Sequence, residues 1–135
     1  MKITTAMLAD AAQVQGGKLF VMGGGFDTIS ARRFPVVHRA ITVALIAEVQ
    51  PDERHRELEI AVVLIDEDGQ EMQVAAQGRL RVGAPPTLPP GSPSYVPIVT
   101  PFYNVRFPKP MGYAFVVRYD DEELTRITFR IVQGE

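Results

Sequence analysis

The chain contains no cysteine, only two histidines, and no long apolar run. Without cysteine there are no disulfides, no thiolate metal ligands and no thiol nucleophile. With only His38 and His55, a three-histidine metal site is excluded, and a two-histidine site requires both side chains to converge. His55 lies in the charged run Asp52-Glu53-Arg54-His55-Arg56, which reads as a solvated turn. His38 follows Phe34-Pro35-Val36-Val37 and begins a strand. Both therefore read as structural or exposed residues rather than as a general base. No segment approaches the roughly 18 apolar residues of a membrane span. The opening Met1–Asp10 has too short an apolar stretch, broken by Asp10, for a signal peptide. A cytoplasmic location and no membrane partner are the resulting expectations. A net charge of −2 provides no cluster of cations for phosphate, so no nucleic-acid partner is expected.

What is present is alternation. Leu58, Ile60, Val62 and Leu64 recur every second residue, and so do Met72, Val74, Ala76, Gly78 and Leu80 after a turn at Asp66-Glu67-Asp68-Gly69. Tyr113, Phe115, Val117 and Tyr119 repeat the pattern, followed by Ile127, Phe129 and Ile131. A period of two places each set on one face of a strand. Pairing Leu64 with Met72 leaves Glu67-Asp68-Gly69 as a three-residue loop, with Gly69 in the left-handed region. In the last hairpin, matching Val117 with Ile127 pairs Asp120 with Leu124 and leaves Asp121-Glu122-Glu123 as the loop; a bulge or a five-residue loop is the alternative there.

Ile3 to Ala9 reads as a strand, with a short helix over Ala6 to Val14 as the competing reading. Gly16-Gly17 and then Lys18 to Met22 read as a turn and a return strand. Gly23-Gly24-Gly25 breaks the pairing, and Phe26 to Ala31 resumes as a short extended piece. Ala40 to Val49 is a long strand. Nine of the eleven prolines fall between Gly83 and Pro110. Proline lacks a ladder donor, so Gly83 to Pro97 is expected to run over the surface and Val99 to Phe107 to rejoin a sheet at its edge. A length of 135 residues suits one domain, 1–135. The expected fold is all-β: an antiparallel β-sandwich, immunoglobulin-like, of about eight strands, with a long proline-rich loop. A closed barrel is the alternative.

The motifs Ala6-Met7-Leu8-Ala9-Asp10, Gly17-Lys18-Leu19 and Gly23-Gly24-Gly25 with Asp27 resemble a family of small uncharacterised bacterial proteins, a domain of unknown function. The likeness extends loosely to Arg56-Glu57-Leu58-Glu59-Ile60 and Asp66-Glu67-Asp68-Gly69, about half the chain. It implies a small standalone β protein and transfers no activity, cofactor or catalytic residue.

Four constellations bear on chemistry. The acidic turns at Asp66–Asp68 and Asp120–Glu123 offer oxygen ligands for calcium, but aspartate is also an ordinary turn residue, and neither has the spacing of a calcium loop. Gly23-Gly24-Gly25 lacks the following helix that a phosphate cradle needs, so a bulge or strand crossing is the expectation. Arg118, Arg126 and Arg130, with Arg79 and Arg81, read as a solvated charged face rather than an anion site. Ser30, Ser92 and Ser94 have no base beside them. No catalytic, cofactor-binding or metal residue is assigned, and no cofactor or enzymatic activity is expected.

The expected role is a non-enzymatic structural or protein-interaction module that self-associates, with another protein as a further partner class. A small-ligand or calcium-binding domain is the alternative. The reason is that Ala40–Val49 and Ile60–Ile65 are apolar on both faces, and large exposed apolar patches are rare on monomers. Either a second subunit or the segment Gly83–Pro110, anchored by Tyr95, Phe102 and Tyr103, is expected to cover them.

Overall fold

The computed structural model describes residues 1–83 and 87–134, so Ala84, Pro85 and Pro86 of the proline-rich stretch lie outside the described residues. The described residues form nine strands: β1 (Lys2–Gln15), β2 (Lys18–Gly24), β3 (Thr28–Ala31), β4 (Val36–Val49), β5 (Glu57–Asp66), β6 (Glu71–Arg81), β7 (Ser94–Phe107), β8 (Met111–Tyr119) and β9 (Glu122–Gln133). Among the described residues the only helical element is a 3-10 turn at Pro51–Glu53. The competing helix over Ala6 to Val14 is therefore overturned. Ala11 to Gln15 pair with β2, and the period of two governs the whole segment.

The strands form a first sheet ordered β2-β1-β4-β7 and a second ordered β3-β9-β8-β5-β6. The two sheets face each other across one core, in which Leu8, Ile41, Val43, Leu45 and Phe107 meet Ile60, Val62, Leu64, Phe115, Phe129 and Ile131. Aromatic rings fill its middle: Phe102 stacks on Phe115 at 5.1 Å, and Phe107 meets Tyr113 edge-on at 4.8 Å. The Tyr113 hydroxyl donates to the Lys109 carbonyl at 2.8 Å, so its polar tip is satisfied at the rim of the core.

Pairing is not antiparallel throughout, because β3 runs parallel to β9, with Thr28 opposite Arg130. The glycine triplet is the cause. Pairing of β2 with β1 continues to Gly24, two residues further than the sequence suggests. The Gly25 N–H then donates to the Leu8 carbonyl at 2.8 Å, and the chain leaves for the second sheet. A Cβ at Gly24 would lie 2.5 Å from Val21 Cγ1 and 3.0 Å from Met7 Sδ, so only glycine fits this crossing.

The first long hairpin has the expected loop. The Gly69 N–H donates to the Asp66 carbonyl at 3.0 Å, and Gly69 sits at φ 82°. Ile65 stands opposite Glu71, which is the expected register. A bulge at Gln73 (φ 58°) then shifts it, so that Val63 faces Ala75. The final hairpin corrects the expectation. Phe115, not Val117, stands opposite Ile127; Tyr119 pairs with Glu122; and Asp120-Asp121 form a two-residue turn. A shift between Val117 and Arg118 absorbs the extra residue.

β7 starts at Ser94, earlier than Val99, and is the edge of the first sheet. Pro97 and Pro101 belong to it, opposite Ile46 and Thr42. A proline enters a ladder only where its missing N–H would point away from the neighbour, which an edge allows.

Candidate functional site

Registers on either side of β4 fix which side chains share the outer face of the first sheet. Thr5, Met7 and Ala9 of β1 stand beside Ile46, Ala44 and Thr42 of β4. Those in turn stand beside Pro97, Val99 and Pro101 of β7. Ala9 and Ala11 carry the face on to Gly24 and Met22 of β2. Directly opposed residues point the same way. None of these positions is charged. Thr42 and Ala44 lie on this outer face yet are 3% and 0% exposed. The result is a smooth apolar face, with Tyr95 (59% exposed) and Tyr103 (68%) standing at its two ends.

Charge lies at the margins: Glu48 at the Tyr95 end, Arg106 beside Val37 beyond Tyr103, and Lys18 at the β2 end. Glu48 lies 3.7 Å from the Lys2 ammonium and accepts the Tyr95 hydroxyl at 3.3 Å. The negative charge of Glu48 raises the Tyr95 pKa, which keeps the phenol a neutral donor.

The described part of the proline-rich segment does not cover this face. β7 extends the sheet instead of lying over it. Phe102 points inward into the core, and Tyr95 and Tyr103 are exposed rather than acting as anchors. Prolines at alternating positions suit an edge strand, a use of proline that a composition count reads as loop.

The other double-sided strand is served differently. The outer side chains of β5, Val63 and Ile65, cluster with Ala114 and Val116 and are almost fully buried. Polar groups rim them, among them the Arg118–Glu71 pair at 3.0 Å. That face is closed by its own neighbours.

The remaining candidate residues do not converge. His38 stands opposite Val105 near the start of β4, whereas His55 lies beyond its far end at φ 64°. The acidic turns sit at opposite ends of the second sheet, since Asp66 pairs with Tyr113 and Ile60 with Tyr119. Asp66 Oδ1 accepts the N–H groups of Asp68 (2.9 Å) and Gln70 (3.0 Å), which is turn chemistry. Glu67 accepts the Gly112 N–H at 3.3 Å. Among the described residues no group of three His, Asp or Glu side chains is placed to hold a metal. Arg126 is held by both oxygens of Glu123 at 2.7 and 3.1 Å, and Arg79 lies 3.6 Å from Glu59. Ser92 offers its carbonyl oxygen to Arg54, and the Ser94 hydroxyl accepts from Arg54 Nε at 3.1 Å.

Two hollows remain. A shallow trough of about 650 Å³ joins Asp27, Asp66, Asp68 and Gly69 to Arg126 and Arg130. A smaller apolar slit of about 370 Å³ lies where β6 and β7, the edges of the two sheets, come together, lined by Ile60, Val62, Leu80, Val96 and Ile98. The sequence carries no signal for the slit, which depends on how two edges meet that are distant in the chain.

No curated protein matches the chain. Among solved structures, the alkylpurine DNA glycosylase AlkC of Pseudomonas fluorescens, bound to DNA containing an abasic site analog, is similar with a TM-score of 0.47 and 13% identity. That likeness covers 96% of this chain and 30% of the glycosylase chain, so this chain spans less than a third of that protein's length. No helix among the described residues is long and apolar enough to cross a membrane. A family model matches residues 4–132, nearly the whole chain, and the protein therefore belongs to the family of unknown function DUF6941.

Proposed function

We propose that the chain is a non-enzymatic interaction module that self-associates through its first sheet. The observation that carries this reading is the uncharged outer face running from Met22 and Met7 across Ala44 to Val99, left open by the described part of the proline-rich segment and flanked by exposed Tyr95 and Tyr103. A patch of this kind on a free monomer is uncommon, and tyrosine is enriched at interfaces. The second sheet is the contrast, because charged groups such as the Arg118–Glu71 pair rim its outer apolar residues.

The fold that presents the face is read as an immunoglobulin-like sandwich. The order β3-β9-β8-β5-β6 supports this, with a short strand beside the last one, and so does a facing sheet built on β1-β4-β7. Occupation of the slit between β6 and β7 by a small apolar ligand is the second reading, favoured by the apolar lining there.

Light scattering after size exclusion tests the proposal. The expected result is a particle of at least twice 14.9 kDa, and Ile46→Glu, which places a charge in the middle of the face, is expected to shift it toward the monomer. A wild-type particle at 14.9 kDa across the concentration range overturns self-association.

A further inference from the structure

We infer that the edge of β2 is the docking site for a second copy of the chain, the two β2 strands running antiparallel about a two-fold axis at Phe20. The inference rests on self-association and adds an edge-to-edge contact to the contact through the outer face.

The four sheet edges differ in one respect. β7 carries Pro97 and Pro101, which remove outward donors. β3 has only four residues. β6 is bulged at Gln73 and lined with Glu71, Arg79 and Arg81. Proline, shortness, bulges and charge are the devices that keep an edge from pairing with another chain. From Lys18 to Met22, β2 has none of them except the one charge of Lys18 at its start. It also carries the hairpin's exposed apolar side chains, with Phe20 49% and Met22 71% exposed. Beyond Ala9, β1 has left β4, so the residues from Ala11 to Met22 form a ribbon that pairs only with itself. A two-stranded ribbon is marginal in water unless something packs on it or extends it.

Backbone geometry fixes the register. Gly16 and Gly17 at φ 58° and 72° form a two-residue turn, which makes Gln15 and Lys18 a hydrogen-bonded pair. Alternation then turns Lys18, Phe20 and Met22 toward β1 and leaves the N–H and C=O groups of Leu19 and Val21 pointing outward. No strand takes them, because the ladder of β2 is with β1. Gly23, at φ 63°, ends the flat stretch. A symmetric antiparallel copy can then use only Leu19 and Val21. Leu19 of one copy exchanges two hydrogen bonds with Val21 of the other, and the axis repeats the exchange. Phe20 falls opposite Phe20 of the second copy, in the close non-hydrogen-bonded position that favours aromatic pairs. Lys18 falls opposite Met22, so the two lysines lie at opposite ends and no like charges meet. The outcome is one eight-stranded sheet with a continuous outer face. Five residues a side make a small contact, so the association is expected to be weak and concentration-dependent.

The absence of cysteine makes the test clean. Phe20→Cys places the first thiol in the chain on the axis, where a close cross-strand pair, with Cα atoms about 4.5 Å apart, meets the spacing of a disulfide. Mild oxidation of the full chain is expected to give a covalent dimer well ahead of a Val14→Cys control on the same hairpin. Val21→Pro removes one outward donor and leaves the β1 ladder intact. It is expected to lower the mass in light scattering with an unchanged far-ultraviolet spectrum. Equal cross-linking of the two cysteine variants, or a Val21→Pro protein with the same mass as the wild type, overturns docking at this edge while self-association stands. A monomeric wild type overturns both.

Discussion

At the scale of single residues, Gly69 and Glu53 mark what a sequence discloses and what it conceals. Gly69 is legible because a three-residue loop demands a left-handed residue at that point and glycine meets the demand without strain. It adopts φ 82°, and a Cβ there would touch nothing within 4 Å. Gly69→Val is therefore expected to cost about 1–2 kcal/mol through backbone strain alone, read as a lower denaturation midpoint with an unchanged slope. Glu53 reads in the sequence as one more charge in a solvated turn. In the fold it is 6% exposed, with Oε2 2.5 Å from the Met1 ammonium and Oε1 accepting the Gln50 N–H at 3.0 Å. Its partner lies 52 residues away, a distance no local pattern spans. Burial by itself pushes this carboxyl up. The Met1 ammonium, the Gln50 N–H and the charge of Arg56 outweigh burial and hold the pKa below the ordinary carboxylate range. A pKa lowered in the folded state means that the carboxylate stabilises the fold above the unfolded value, about 4.3, and that this contribution fades as pH falls through the lower folded value. Glu53→Gln leaves the ammonium buried without its counter-charge and is expected to cost about 3 kcal/mol at neutral pH. The gap between variant and wild type is expected to narrow in acid, and parallel denaturation curves at pH 7 and pH 3 check both the size and the sign.

Elements were legible as strands and much less so as pairings. Alternation identified the inward sets correctly. Tyr113, Phe115 and Val117 are buried, and so are Phe129 and Ile131. Register needs one more piece of information, the position of each inserted residue. The bulge at Gln73 and the shift beside Arg118 carry no distinctive residue type, so the sequence leaves them silent. The last hairpin shows the consequence. A two-residue turn with positive φ at both positions favours glycine, and the sequence has none here, yet Asp120 and Asp121 adopt φ 49° and 63°. Aspartate tolerates this region better than most residues, at a cost that glycine avoids. Asp-Gly is the sequence this turn prefers. Asp121→Gly is therefore expected to stabilise the protein by about 0.5 kcal/mol, the surplus of relieved strain over the added freedom of the unfolded chain. Thermal melts of variant and wild type would show it as a small upward shift, and a downward shift would mean that the Asp121 side chain contributes more than its backbone costs.

For the molecule as a whole, the decisive features are edges and faces, and these appear only after the two sheets are assembled. That Ala40–Val49 has two apolar faces was legible in the sequence; which neighbour flanks it was not, because β1 and β7 come from opposite ends of the chain. The concentration of prolines between Gly83 and Pro110 illustrates the ambiguity. Read as composition, it signals surface chain. In the fold, part of it is a strand whose prolines have a protective position. Pro97 and Pro101 stand two ladder steps apart, so positions 95, 97, 99, 101 and 103 all direct their N–H groups away from β4, and two of those five lack the donor. An incoming strand thus meets gaps along β7 and an unbroken run along β2. The same sheet is therefore closed to pairing at one edge and open at the other, which permits a dimer and stops a fibre, since continued growth needs two usable edges. Replacing both prolines, Pro97→Val with Pro101→Val, restores the donors with a residue that favours strands. The double variant is expected to keep its far-ultraviolet spectrum and to form higher particles or turbidity at concentrations where the wild type stays at a fixed size. If it stays as disperse as the wild type, the prolines do not guard that edge, and the difference between the two ends of the sheet has to come from side chains alone.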